Sequence, residues 1–147
     1  MDFANLIDKY NRQTAKTFFF GDPPYFVSNN TKYYDFTFTI EDHKRLKKCC
    51  DDIDKNDNQF LITYDDVPET INLYKGYHIY RTDPIIYSAA DERKNRSLIK
   101  TELFITNYDL MKMIHTRAKR TGDIFTEIDL SDNRIDIHGH IGLEKIQ

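Results

Sequence analysis

Two short apolar runs, TFFF (17–20) and QFLITY (59–64), flank one amphipathic segment, and this spacing constrains the fold more than any other feature of the sequence. Between them Leu46, Cys49, Cys50 and Ile53 recur at helical spacing, and Thr39 with Asp42 three residues on has the form of a capping box, which predicts a helix over about 40–54. Upstream, Phe3, Leu6, Ile7 and Tyr10 predict a helix over 2–10 behind an Asp2 cap. Downstream, DKNDN breaks the helix. Asp66 with Glu69 then opens a second helix carrying Val67, Ile71 and Tyr74, with Pro68 in its first turn and Gly76 at its end. Alternation of strand and helix predicts parallel strands with right-handed crossovers, a sheet covered on both faces, and TFFF as a fully buried strand.

The pattern changes after Gly76. YHIYRT, PIIYS and LIKTELFITNY read as strands without an intervening helix, and predict an antiparallel ribbon at the sheet edge. From Asp109, Leu110, Met113, Ile114 and Arg117 suit a short helix, and IFTEIDL and RIDIHGHI suit the arms of a hairpin. At 147 residues the chain has enough apolar content for one core. The net charge of −3 excludes a nucleic-acid reading from bulk charge and leaves it to local basic patches. No apolar run reaches the length of a membrane span and the first ten residues lack the order of a secretory signal, so a soluble, cytoplasmic protein is expected. Cys49 and Cys50, adjacent on a helix, suit neither a mutual disulfide nor a zinc site and are expected to be buried free thiols. His138 and His140 flank Gly139 at strand spacing but have no evident third ligand, and no metal is expected.

The residues that follow TFFF carry the chemistry. In open α/β sheets ligands bind beyond the carboxyl ends of the strands, where Asp22, Pro23, Pro24 and Tyr25 lie. Consecutive prolines remove two backbone donors, so carbonyls of the turn face a pocket without competing N–H groups. A carboxylate accepts and has no donor, and with a neighbouring carbonyl it suits the two protons of an exocyclic amino group. Tyr25 adds a flat face for an aromatic base, a contact worth roughly 1–3 kcal/mol. The tetrapeptide therefore reads as a trap for a planar ring bearing NH₂.

DPPY resembles the signature of amino-methyltransferases that use S-adenosylmethionine, and its Asp form resembles that of adenine-N6 DNA methyltransferases. DFANLIDKYNRQTAKTFFFGDPPY, FTIEDHKRLKKCC, FLITYDD and KTELFITNY are similar, in this order, to segments of the Dam-like adenine methylases, covering residues 2–108, which implies 1–108 as the C-terminal part of a methyltransferase catalytic domain and 109–147 as a C-terminal extension. The resemblance implies half of a Rossmann-like methyltransferase sheet and methyl transfer from S-adenosylmethionine to N6 of an adenine flipped out of duplex DNA, in restriction-modification or DNA marking. It implies that Asp22, Pro23, Pro24 and Tyr25 are catalytic, with Asp22 and Tyr25 also against the cofactor. Ser28, Asn29, Asn30, Lys32, Tyr33 and Tyr34 have the composition of a DNA-contacting loop, and Arg93, Lys94, Arg96 and Lys100 of a phosphate-binding cluster.

The sequence departs from the family in lacking the Gly-rich cofactor loop and the target-recognition region that precede DPPY in Dam-like enzymes. The expectation is a fragment, inactive alone, whose first strand has an open edge that invites a missing half, a swap or a second copy. Alternative readings are an inactive remnant or DNA-binding module, or a methyltransferase acting on RNA adenine or another amino group.

Overall fold

The computed structural model describes residues 2–26, 38–87, 98–113, 134–137 and 141–147. Helix α1 (Phe3–Asn11) leads to strand β1 (Phe18–Gly21), α2 (Ile40–Lys55) to β2 (Gln59–Asp65), and α3 (Pro68–Leu73) to β3 (His78–Thr82). Strands β4 (Ile85–Tyr87), β5 (Leu98–Lys100), β6 (Glu102–Thr106), β7 (Arg134–Ile137) and β8 (Ile141–Lys145) follow. The capping readings hold for two helices. The Asp2 carboxylate accepts from the Ala4 N–H, and Thr39 with Asp42 forms the reciprocal capping box. For α3 the expectation fails in part: Val67 is the N-cap without a side-chain bond, and Asp66 instead receives Arg81 and Thr101. Pro68 does occupy the first turn, and Gly76, at φ 103°, takes the left-handed conformation that ends the segment.

The main sheet has the order β1-β2-β6-β3-β8-β7, and β4 with β5 forms a separate antiparallel pair. β1 pairs parallel with β2, while β6 is antiparallel to both β2 and β3. Thus β1, β2 and β3 run in one direction with a reversed strand between the last two. The expected ribbon is antiparallel, but it is not at the edge. The α3 crossover leaves a strand-wide gap between β2 and β3, and β6 returns into it, bonding on both sides. Outside β3 lies β8, which pairs with β7. The observed hairpin therefore joins Arg134–Ile137 to Ile141–Lys145; the expected arm IFTEIDL lies outside the described residues.

Alternation divides the core. Phe60, Ile62 and Tyr64 of β2, Ile79 of β3, and Leu103 and Ile105 of β6 pack with Leu46, Cys50 and Ile53 of α2. Tyr80 and Phe104 point to the opposite face and meet Leu110, Met111 and Leu143. Cys50 is buried as expected, whereas Cys49 is only half-buried. Three asparagines align the strand ends away from the carboxyl tips. Buried Asn58 accepts from the Thr17 N–H at 2.9 Å and donates to Asn11, while Asn107 donates to the Asn58 carbonyl and accepts from the Phe60 N–H.

The expectation of a fully buried first strand is corrected. Phe18 and Phe20 are 54% and 66% exposed, because β1 is the terminal strand of the sheet and no described element covers that side of it. Phe19, on the other face, packs against the core. Phe20→Ser is expected to cost under about 1 kcal/mol in urea unfolding, whereas Phe60→Ala is expected to cost about 3–5 kcal/mol. Equal losses would show that β1 is covered in solution.

Candidate functional site

The polar ends of the parallel strands converge on one rim. Asp22 follows directly on β1, Asp65 ends β2, Thr82 ends β3, and Glu102 begins the reversed strand β6 at the same end of the sheet. In the β2–β6 register Asp65 stands opposite Glu102. Like charges directly across a ladder are unfavourable unless donors are supplied. Two consecutive residues of the turn after β1 supply them: the Tyr25 hydroxyl donates to Glu102 Oε1 at 2.9 Å, and the Phe26 N–H donates to Asp65 Oδ1 at 3.2 Å.

Asp22 is exposed, and Thr63 Oγ1 donates to its Oδ1 at 2.6 Å. The contact follows from register. Gly21 pairs with Ile62, so the next residues along, Asp22 and Thr63, come side by side. Tyr25 is half-buried and lies against the core, its ring centroid 6.3 Å from that of Tyr64. Burial, then the bond to Glu102, pushes its hydroxyl far above the usual phenolic range, so it serves as a fixed donor. Asp66 is held below the usual carboxylate range, chiefly by its bonds from Arg81, the closer at 2.6 Å.

Behind the turn, His43 of α2 joins both flanks of the segment 27–37. The Phe26 ring stacks on its imidazole at 3.8 Å and 12°, Phe38 meets it edge-on at 4.7 Å, and Nδ1 lies 2.7 Å from the Tyr64 hydroxyl. Beside the turn, a cleft of about 530 Å³ follows the open edge of β1, walled by Leu6, Tyr10, Phe18, Phe20 and Leu46 and bordered by Asp22 and the two prolines.

The structure thus brings Asp22, Pro23, Pro24 and Tyr25 together at the carboxyl end of β1. Ser28, Asn29, Asn30, Lys32, Tyr33, Tyr34, Arg93, Lys94 and Arg96 lie outside the described residues, as do His138 and His140. Among the described residues no group of three or more His, Cys, Asp or Glu side chains is arranged to hold a metal. Thr63, Asp65 and Glu102 were not singled out by sequence reasoning. Their signal is positional: each becomes visible once β2 is aligned with β1 and β6.

With this geometry in place, comparison with known families is decisive. The family model for D12 class N6 adenine-specific DNA methyltransferases matches residues 2–85, more than half of the chain. The chain belongs to this family. No curated protein matches it. Membership implies methylation of adenine N6 in DNA, with S-adenosylmethionine as methyl donor. The matched span runs from α1 through the first residue of β4, and so contains Asp22–Tyr25, Thr63 and Asp65. Glu102 lies beyond it. Among the described residues no helix is long and apolar enough to cross a membrane.

Burial holds the pKa of His43 below its ordinary value of 6.5, against the opposing pull of Asp65 and Asp42. The unfolded chain therefore takes up a proton that the folded chain resists. Stability from this site is full above the unfolded pKa, about 6.5, and is lost as pH falls toward the lower folded value. Urea midpoints of wild type and His43→Gln, measured between about pH 7 and 5, should diverge, with wild type losing more on acidification. Parallel profiles would show that His43 is not the responsible group.

Proposed function

We propose that this chain carries the amino-group trap of an adenine-N6 DNA methyltransferase, and that it acts together with a cofactor-binding segment not contained in these residues. The observation that supports it is Asp22 itself: an exposed carboxylate at the end of an edge strand, oriented through one oxygen by Thr63. The N6 lone pair of adenine is delocalised into the ring and nucleophilically weak. Hydrogen bonds from its protons to Asp22 and to the Pro23 carbonyl favour a pyramidal nitrogen, and the carboxylate stabilises the positive charge that develops there. Tyr25 offers its ring to the flipped base. We place the phosphate contacts of the duplex on Lys32, Arg93, Lys94 and Arg96 and the remaining DNA contacts on Ser28, Asn29, Tyr33 and Tyr34.

S-adenosylmethionine supplies the methyl group. The cofactor's ribose diol, base edge and charged amino-acid end need polar partners, and the cleft beside β1 offers few: Asp22 at its border and the hydroxyls of Tyr10 and Thr17 among largely apolar walls. These residues fit one edge of such a cofactor and not the whole. The open edge of β1, with Phe18 and Phe20 exposed, suits a further strand that would complete the site. A role in restriction-modification or DNA marking accords with this reading.

Two measurements test it. Calorimetric titration of S-adenosylmethionine into the chain alone should give no micromolar binding; such binding would place the whole cofactor site within these residues. Single-turnover methyl transfer to adenine-containing duplex, with a cofactor-binding half from the family added, should fall by about 10²–10³ for Asp22→Asn. DNA affinity, dominated by phosphate contacts, should change little. A near-normal rate for Asp22→Asn would remove the acceptor role, and failure of wild type in every combination would favour an inactive remnant.

A further inference from the structure

The Tyr25 hydroxyl has no part in the stacking role, yet it is the atom of that side chain most firmly committed. We propose that Thr63 and Glu102 are positioning residues, each fixing one member of the amino-group trap: Thr63 the carboxylate of Asp22, and Glu102 the ring of Tyr25. The inference rests on the functional reading given above for Asp22 and Tyr25, and extends it to two residues on strands β2 and β6.

The two contacts are of one kind. Thr63 has a single hydroxyl proton; Asp22 Oδ1 lies 2.6 Å away and the Gly21 carbonyl 3.5 Å, with the Tyr25 hydroxyl also within reach of the Thr63 side chain. The proton goes to Asp22. A β-branched side chain is stiff at χ1, so the direction of that hydroxyl is set by β2. With Oδ1 engaged, the carboxylate plane is fixed and Oδ2 remains to accept from an incoming amino group. Tyr25 leaves a turn that follows an edge strand, and one side of its ring packs against the core beside Tyr64. Its hydroxyl reaches Glu102 Oε1, whose backbone N–H in turn donates to Thr82 Oγ1 at 3.0 Å. The ring is thereby tied to β6 and β3, the interior strands of the sheet. A turn on β1 alone would hold these two side chains loosely, and catalytic geometry tolerates little looseness.

The hydroxyl therefore matters for aim and not for contact, so Tyr25→Phe keeps the stacking face but loses its tether. Three-bond couplings about χ1 in the isotope-labelled full chain read this directly, without substrate. Wild type should show one rotamer at both Asp22 and Tyr25. Thr63→Val should average Asp22, and Thr63→Ser should largely restore it; Glu102→Ala and Tyr25→Phe should average residue 25 while Asp22 keeps one rotamer, and Glu102→Gln should restore residue 25. In the methyl-transfer assay Thr63→Val and Glu102→Ala should lower kcat by about tenfold or more with KM changed far less, and the two conservative variants should recover most of the rate. Unaltered couplings in Thr63→Val and Glu102→Ala, or a rate loss that the conservative variants fail to rescue, would overturn the proposal. Because the couplings need no catalysis, they judge positioning separately from wild-type methyl transfer, which judges the functional reading.

Discussion

The pairing of β6 between β2 and β3 is the constraint on which the rest depends. It closes the gap left by the α3 crossover, buries Leu103 and Ile105 against α2, and turns Phe104 toward Tyr80 on the other face. It also carries Glu102 to the rim where the parallel strands end, opposite Asp65. Two facing carboxylates at a strand end are unfavourable unless donors reach them. The turn after β1 is folded so that Tyr25 and Phe26 do so. The internal pairing of the sheet and the shape of the site are one arrangement.

How much of this was legible in the sequence depends on the range of the interaction. The elements α1, α2, β1 and β2, with the Asp2 cap and the Thr39–Asp42 box, follow from local periodicity and local hydrogen bonding, and they lie within a residue or so of the expected bounds. The place of the DPPY turn was legible for the same reason, since it follows directly on β1. Strand order was not. Nothing in the pattern of LIKTELFITNY distinguishes an edge ribbon from an insertion between two parallel strands, because an apolar strand suits either. Asp66 shows the same limit. Its position before Pro68 looks like a cap, but Arg81 and Thr101, distant in sequence, make a better pair of donors for it. Thr63 and Glu102 belong to this class, as their role exists only in the register.

The burial of β1 shows how a sound rule gives a wrong result. Three consecutive phenylalanines predict a strand buried on both faces, and only Phe19, partly buried against the core, approaches that description. Phe18 and Phe20 keep the apolar character of an interior strand while standing at the end of the sheet. An exposed apolar edge is a liability for a chain that works alone and is expected of one that pairs. The apolar cleft and the exposed Asp22 lie along this same edge, so the partner and the amino-group trap proposed above would share one surface.

The choice of partner for Asp22 distinguishes it from Asp66 nearby. Asp66 is met by a guanidinium, which fixes β3 against β2 and leaves that charge compensated. In the proposed function, had Asp22 been oriented in the same way, the cation would both neutralise the charge meant to favour a developing ammonium and occupy the oxygen meant for the amino group. Thr63 orients the carboxylate through one neutral hydrogen bond and leaves its charge in place. In the proposed function, a hydroxyl on a stiff strand residue thus meets two requirements that conflict for any basic side chain: a fixed direction, and a negative charge that no cation among the described residues pairs with, left for the substrate nitrogen.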